Sequence, residues 1–215
     1  MIIERIEKKD SINVIVHLDN NQKLYLAYEV LLKNGLRKGS DISESHFDIL
    51  VKENQKFFIK QKAFTLLGKR LHSVYELRTK LRQKKYDNDL ISLTIDDLIK
   101  GDYLNDTKFA EMYSDEKLRL KLWGKTKLKS ELFKKGIPAQ IITEVLDEKF
   151  PGSSEELDNA LSLAVKKYNS LKNRNMEHQK LVQRLYTFLI SKGYSYDIAK
   201  QAVGKLFNLS LEEEQ

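Results

Sequence analysis

The residues of this chain best equipped for chemistry are its cations. Between Lys117 and Lys135 stand Lys117, Arg119, Lys121, Lys125, Lys127, Lys129, Lys134 and Lys135 against Glu131 alone, a net charge of +7 over nineteen residues. Like charges at that density repel one another unless a partner neutralises them, so the stripe suits a polyanion or an acidic protein surface. A second basic group precedes it. Lys69, Arg70, Arg78, Arg82 and Lys84 surround the sequence Ser73-Val-Tyr-Glu76, and Arg78 and Arg82, four apart, share a helix face. The last third carries a thinner set, chiefly Lys166, Lys167, Lys180 and Arg184. By region the formal charge is −1 for residues 1–50, +7 for 51–150 and +1 for 151–215, so the positive field belongs to the middle of the 215-residue chain.

Groups for making and breaking bonds are scarce. His17, His46, His72 and His178 lie far apart and form no i, i+4 pair of metal-ligand type. The absence of cysteine excludes a thiolate nucleophile, a Cys-ligated zinc, an iron–sulfur cluster and a disulfide framework. Gly68-Lys69-Arg70 has the ending of a phosphate-binding loop, but no glycine precedes it at the required distance and no strand leads into it. Asp96, Asp97, Asp102 and Asp106 could gather a divalent cation through oxygen ligands, yet acids at helix ends account for them more simply. The chain therefore reads as non-enzymatic, with no metal or cofactor. No apolar run approaches the roughly 18 to 20 residues that cross a bilayer, and MIIERIEKKD is charged from its fourth residue; neither a membrane span nor a signal peptide is expected, and the location expected is cytoplasmic.

The elements that must position these cations differ along the chain. Ile12, Val14, Val16 and Leu18 alternate with other residues, Asp19-Asn20-Asn21-Gln22 supplies turn chemistry, and Lys23 to Tyr28 follows: a hairpin, with residues 2–8 as a third strand and a short helix at Glu29 to Asn34 stopped by Gly35. From Ser43 the period becomes helical. Ser73 with Glu76 and Ser153 with Glu156 are capping boxes, and Asp87 and Asn105 or Asp106 are further N-caps. Helices are expected near 45–70, 74–85, 88–100, 107–122, 125–135, 138–149, 154–172, 176–192 and 195–207. In the fourth of these, Phe109, Met112, Tyr113, Glu116 and Leu120 form one face. Met112 and Trp123 are read as core or spacers between repeats, and Tyr103, Phe109 and Tyr113 as packing between repeats.

Nine helices resolve into three triplets when the second helix of each is aligned on its apolar stripe. Leu77, Leu81 and Tyr86 match Leu128, Leu132 and Ile137, which match Leu185, Leu189 and Tyr194, with identical offsets; five residues on stand Ile91, Ile142 and Ala199. The residue before the third position is Lys85, Gly136 or Gly193. Each unit offers little apolar area alone, so adjacent units are expected to stack and share a core. The expected fold is mainly all-α: three tandem three-helix repeats in an elongated curved array after a small strand-rich cap. Its divisions are 1–44 (cap), 45–104 (first repeat), 105–150 (second) and 151–215 (third, with a C-terminal tail).

Three stretches carry a family resemblance. Ala63-Phe-Thr-Leu-Leu-Gly-Lys-Arg-Leu-His-Ser73-Val-Tyr-Glu-Leu-Arg-Thr-Lys-Leu81, Gly101-Asp-Tyr-Leu-Asn-Asp106-Thr-Lys-Phe-Ala110-Glu-Met-Tyr113, and Trp123-Gly124-Lys-Thr-Lys-Leu-Lys-Ser-Glu-Leu132-Phe-Lys-Lys-Gly-Ile137 resemble successive parts of RecX proteins. The likeness covers residues 60–149 directly and 150–207 by the logic of the repeat, and the first fifty residues resemble the N-terminal extension of longer members less specifically. It departs at Lys85, where the other repeats have glycine, and in the unusually basic Arg119 to Lys121. The resemblance implies tandem three-helix repeats and a modulator, usually an inhibitor, of the RecA recombinase. Such a protein binds in the groove of the RecA–DNA filament and restrains ATP hydrolysis, strand exchange and co-protease activity. On that reading the thirteen cations named in the two basic groups contact RecA or DNA, single- or double-stranded, and the chain acts as a monomer. Two other readings use the same residues: a DNA-binding helical repeat module without RecA specificity, and a scaffold for acidic partners unrelated to recombination.

Overall fold

The computed structural model describes residues 1–172 and 176–212. Strands β1 (Ile3–Lys8), β2 (Asn13–Leu18) and β3 (Lys23–Ala27) form an antiparallel sheet in chain order. Period-two alternation puts Val14, Val16 and Leu18 of β2 on one buried face. Helix α1 (Tyr28–Lys33) follows β3 directly, and α2 (Glu44–Leu67) begins at the Ser43 cap, whose hydroxyl accepts the His46 N–H. Asn54 of α2 accepts the Ala27 N–H at 2.7 Å and donates to the Tyr25 carbonyl at 2.8 Å. A side-chain amide thus satisfies backbone groups on an edge strand, which would otherwise invite pairing with another chain. Beside it Glu53 receives Asn34 and Lys33, and those hydrogen bonds hold its carboxyl below the ordinary range.

Helix α2 has two duties along its length. Leu50 belongs to the apolar cluster of the cap, with Val14, Val16 and Leu26, whereas Ile59 and Ala63 belong to the cluster of the first repeat. Cap and first repeat accordingly form one compact unit, Met1–Leu104, and Asn105–Gln215 forms a second. The first unit is completed by α3 (Val74–Arg82) and α4 (Asn88–Lys100). The second contains α5 (Asp106–Lys121), α6 (Lys125–Lys134), α7 (Ala139–Lys149), α8 (Ser153–Leu171), α9 (His178–Ser191) and α10 (Tyr196–Glu212). The caps at Ser73, Asp87 and Asn105 form as their chemistry dictates, each side chain accepting backbone N–H groups of the helix it opens. At α8 the N-cap is Gly152, so Ser153 stands inside the helix rather than before it; its side chain lies outside the described residues. Helix α10 runs past the expected end at 207 to Glu212, and residues 213–215 of the expected tail lie outside the described residues.

The aligned stripe is the core of each repeat. Leu77, Leu81, Leu128, Leu132, Leu185 and Leu189 are fully buried, and Ile91, Ile142 and Ala199 pack against them from the third helix. The turns between second and third helices repeat as well: Lys85, Gly136 and Gly193 have φ of 61°, 73° and 93°, and each donates its N–H three residues back, to Arg82, Phe133 and Ile190. Lysine at 85 therefore occupies a backbone conformation that its Cβ disfavours. One expectation fails. The second and third repeats do not share a core; their buried residues form separate clusters, 109–146 and 157–206, and the first repeat encloses its own, 59–104, because three short helices suffice to enclose eight or more apolar side chains in each.

Candidate interaction surface

In the first unit most of the expected cations are engaged internally. Arg70 donates to the Glu76 carboxylate at 2.8 Å and to the Leu71 carbonyl, Arg78 to the Ser92 hydroxyl at 2.8 Å, and Arg82 to the Asn88 side chain at 3.2 Å. Arg78 and Arg82 do share a face, and it is the face that fastens α3 to α4. Lys69 and Lys84 are exposed and have no ion pair among the described residues. His72, just before the Ser73 cap of α3, is buried beside Arg70, and burial holds its imidazole below the ordinary value, hence neutral.

In the second unit two aromatic rings bring the stripe together across the α5–α6 turn. The Lys117 and Lys135 ammonium groups lie 4.8 and 5.9 Å from the Tyr113 ring centre, and those of Lys121 and Lys127 lie 5.2 and 5.5 Å from that of Trp123. Each ring faces one lysine of α5 and one from α6 or its C-cap, and its quadrupole offsets part of their repulsion. Ion pairs also draw on the stripe. Lys117, Lys125 and Lys134 pair with Glu116, Asp147 and Glu131 at 2.6, 2.8 and 2.9 Å. Hydrogen bonds from Lys117 and Lys134 hold the Glu116 and Glu131 carboxyls below their ordinary range, so both acids keep their charge. The expectation of one compensating acid is thus corrected: Glu116 just outside the stripe and Asp147 on α7 add to Glu131. Arg119 and Lys129 are exposed, Arg119 lining a cavity of about 190 Å³ with Leu118, Lys149, Phe150 and Glu155.

The aromatic and apolar readings also need revision. Trp123 is buried at 9% exposure, but Met112 and Leu120 are 60% and 61% exposed, because α5 turns Phe109, Ala110 and Ser114 inward instead. Tyr103 is exposed and rests edge-on against Phe64 within the first unit, while Phe109 and Tyr113 stack on each other within the second repeat.

What joins the second and third repeats is backbone. Gly124 opens α6 with no side-chain cap, and its N–H donates to the Lys192 carbonyl at 2.9 Å while Thr126 N–H donates to the Gly193 carbonyl at 3.1 Å. The Lys125 N–H interacts with the Glu156 carboxylate, whose pKa is nevertheless raised because burial outweighs that attraction. Tyr194 donates its hydroxyl to the carbonyl of Leu122, the left-handed residue (φ 48°) that ends α5, at 2.7 Å. A Cβ on Gly124 would stand 2.5 Å from Gly193 backbone atoms, and one on Gly193 would stand 2.3 Å from Lys127. The first N–H groups of α6, orphaned in an isolated helix, are therefore satisfied by the third repeat.

Models of the first, second and third three-helix domains of RecX match residues 60–98, 105–146 and 154–203. The chain belongs to the RecX family. Regulatory protein RecX of Clostridium perfringens (strain 13 / Type A) is 34% identical over 203 residues, 94% of each chain, and that of Finegoldia magna is 31% identical over 210 residues, 95% of this chain and 99% of the relative. A crystal structure of a regulatory protein RecX has the same fold, with a TM-score of 0.74 at 20% identity over 93% of this chain and 97% of that one. RecX from Lactobacillus salivarius matches with a TM-score of 0.63 at 26% identity, over 72% of this chain and 97% of that one. RecX proteins are regulators and not enzymes, and among the described residues no group of three or more His, Asp or Glu is placed to hold a metal ion.

In this RecX chain the junction of the second and third domains is the part that reasoning from sequence missed. A signal existed. Gly124 occupies the position that Ser73 occupies in the first repeat, four residues before the aligned leucine, and glycine there supplies no side-chain oxygen to cap α6.

Proposed function

We propose that this chain binds RecA and the RecA–DNA filament and restrains the filament's ATP hydrolysis, strand exchange and co-protease activity. The observation that carries the reading is the match of three successive three-helix domains to those of RecX. The cations of the second repeat supply the contact: Lys121 and Lys127 over Trp123, with Arg119 and Lys129 exposed nearby in sequence, meet acidic surfaces of RecA protomers or DNA phosphates in the filament groove. Each exposed pair contributes only about 0.2 to 1 kcal/mol, so strength comes from engaging several protomers at once, and the field of the stripe chiefly steers association. The chain acts as a monomer in the cytoplasm. Binding to naked single strands is a weaker reading, since a base-stacking platform needs an open ring and Trp123 is buried under two ammonium groups.

The test is a titration into RecA, ATP and single-stranded DNA, following hydrolysis and filament structure. Hydrolysis is expected to fall, and the combined Lys121→Glu and Lys129→Glu variant should need about tenfold more protein for the same effect. Unchanged hydrolysis, or competition by bare DNA as strong as by filaments, overturns the proposal.

A further inference from the structure

The third repeat carries a second basic surface unlike the first. Helices α8 and α9 border an open groove of about 520 Å³ lined by Lys167, Leu171, Lys180, Arg184, Thr187 and Phe188 among others. That volume lies in the range of sites that take a small ligand or a few side chains. Its floor is apolar: Leu171 is buried and Phe188 half-buried against the core of the repeat. Its rim is cationic. The Lys167 and Lys192 ammonium groups each lie 5.3 Å from the Phe188 ring centre, and Arg184 is exposed one turn before that ring. Among the described residues no carboxylate lines the groove, and Lys167, Arg184 and Lys192 have no ion pair; Lys180 has a loose, exposed one to Glu177 at 3.2 Å.

We propose that this groove is a separate docking site for an acidic, extended protein segment that places one apolar side chain on the Phe188–Leu171 floor and carboxylates against Lys167, Lys180, Arg184 and Lys192. Charge selects an anionic partner, because four cations converge with a single weak internal acid. The floor selects a peptide over a nucleic acid. The Phe188 ring is half-buried and already has two ammonium groups beside it, which compete with a base for the ring, whereas an aliphatic side chain can seat beside the ring edge on Leu171. Thr187, whose hydroxyl donates to the Gln183 carbonyl, can still accept a hydrogen bond, and the Gln183 side-chain amide can donate to and accept from an extended backbone. The site is independent of the RecA reading: its residues lie outside the Lys117–Lys135 stripe, and it would persist if that reading failed.

The experiment is fluorescence anisotropy of the full chain with a labelled peptide Asp-Glu-Leu-Asp-Phe-Glu, beside a labelled thymidine oligonucleotide of equal formal charge. Saturable peptide binding is expected, weakened about tenfold by the combined Lys180→Glu and Arg184→Glu variant and unchanged by Lys129→Glu in the other basic surface. Both groove residues are exposed, so the variant should keep its helix content and Trp123 emission. Three results overturn the proposal: no saturable peptide binding; an oligonucleotide that binds more tightly and is lost with the same reversals, which makes the groove a nucleic-acid site; or an equal loss with Lys129→Glu, which makes the attraction nonspecific.

Discussion

Replacing Gly124 by alanine isolates the contact between the second and third repeats. Gly124 has φ −77° and ψ 166°, extended backbone open to any residue, so the new methyl adds no backbone strain. What it meets is the Gly193 carbonyl group at 2.5 Å and the Tyr194 nitrogen at 2.7 Å, both backbone atoms that cannot swing aside. Relief to ordinary contact requires a shift of about 1 Å between α6 and the 192–194 turn. The bonds Gly124 N–H to Lys192 (2.9 Å), Thr126 N–H to Gly193 (3.1 Å) and Tyr194 hydroxyl to Leu122 (2.7 Å) would then stretch past hydrogen-bonding range. At about 0.5 to 1.5 kcal/mol for each bond, with about 0.5 kcal/mol more for alanine in place of glycine at an N-cap, the cost is about 2 to 5 kcal/mol. Trp123, the single tryptophan, adjoins the site and is buried, so urea unfolding followed by its emission reads the second unit directly. A Gly124→Ala midpoint and emission indistinguishable from those of the parent would refute the described junction.

Three further outcomes follow from single residues. Lys85→Gly should stabilise the first unit by about 0.5 to 1 kcal/mol, the relief at φ 61° exceeding the added freedom of the unfolded chain, since the side chain is exposed; urea unfolding followed by circular dichroism decides it, and a loss of stability would contradict the strain. Glu156→Gln should be more stable than the parent at neutral pH. The parent carboxyl has a raised folded pKa, so the stability it brings is complete below its ordinary value of 4.5 and lost as pH rises through the raised one. The gap between the two proteins should therefore close on acidification, and a gap independent of pH would exclude burial as the cause. Ser114→Ala should raise stability by about 1 kcal/mol in calorimetry, because the fully buried Ser114 hydroxyl has no hydrogen-bond partner among the described residues; a loss of stability would mean the hydroxyl is satisfied.

The helices and their grouping were legible because they are written in side chains at fixed offsets. Leu77 and Leu81 recur as Leu128 and Leu132 and as Leu185 and Leu189, and the left-handed turn recurs at Lys85, Gly136 and Gly193 even where lysine replaces glycine. The basic surface was legible only in part. Charge counted along the chain finds Lys117 to Lys135, but it cannot tell that Lys125 reaches Asp147 or that Arg78 is spent on Ser92, since both partners come from other helices. Met112 and Leu120 fell on the wrong face because aromatic residues at 109 and 113 fit two overlapping stripes on α5, and only tertiary packing chooses between them.

The junction was illegible for a different reason: besides Tyr194 and Glu156 it is made of glycines and backbone carbonyls, which leave no hydrophobic or charged signature. Its consequence reaches the candidate surface. Helix α6 carries Lys125 and Lys127 in its first turn and no acid there, an arrangement that the helix dipole opposes. The third repeat supplies what the sequence of α6 lacks, setting the Lys192 and Gly193 carbonyls and the Glu156 carboxylate against the exposed N–H groups of that turn. Helix α3 has no such need, since Ser73 caps it from within. The second repeat can therefore present lysines at the start of α6 because the third repeat neutralises that end of the helix. A variant that opens the junction should accordingly lose binding by the stripe along with stability, even though it alters none of the stripe's own charges.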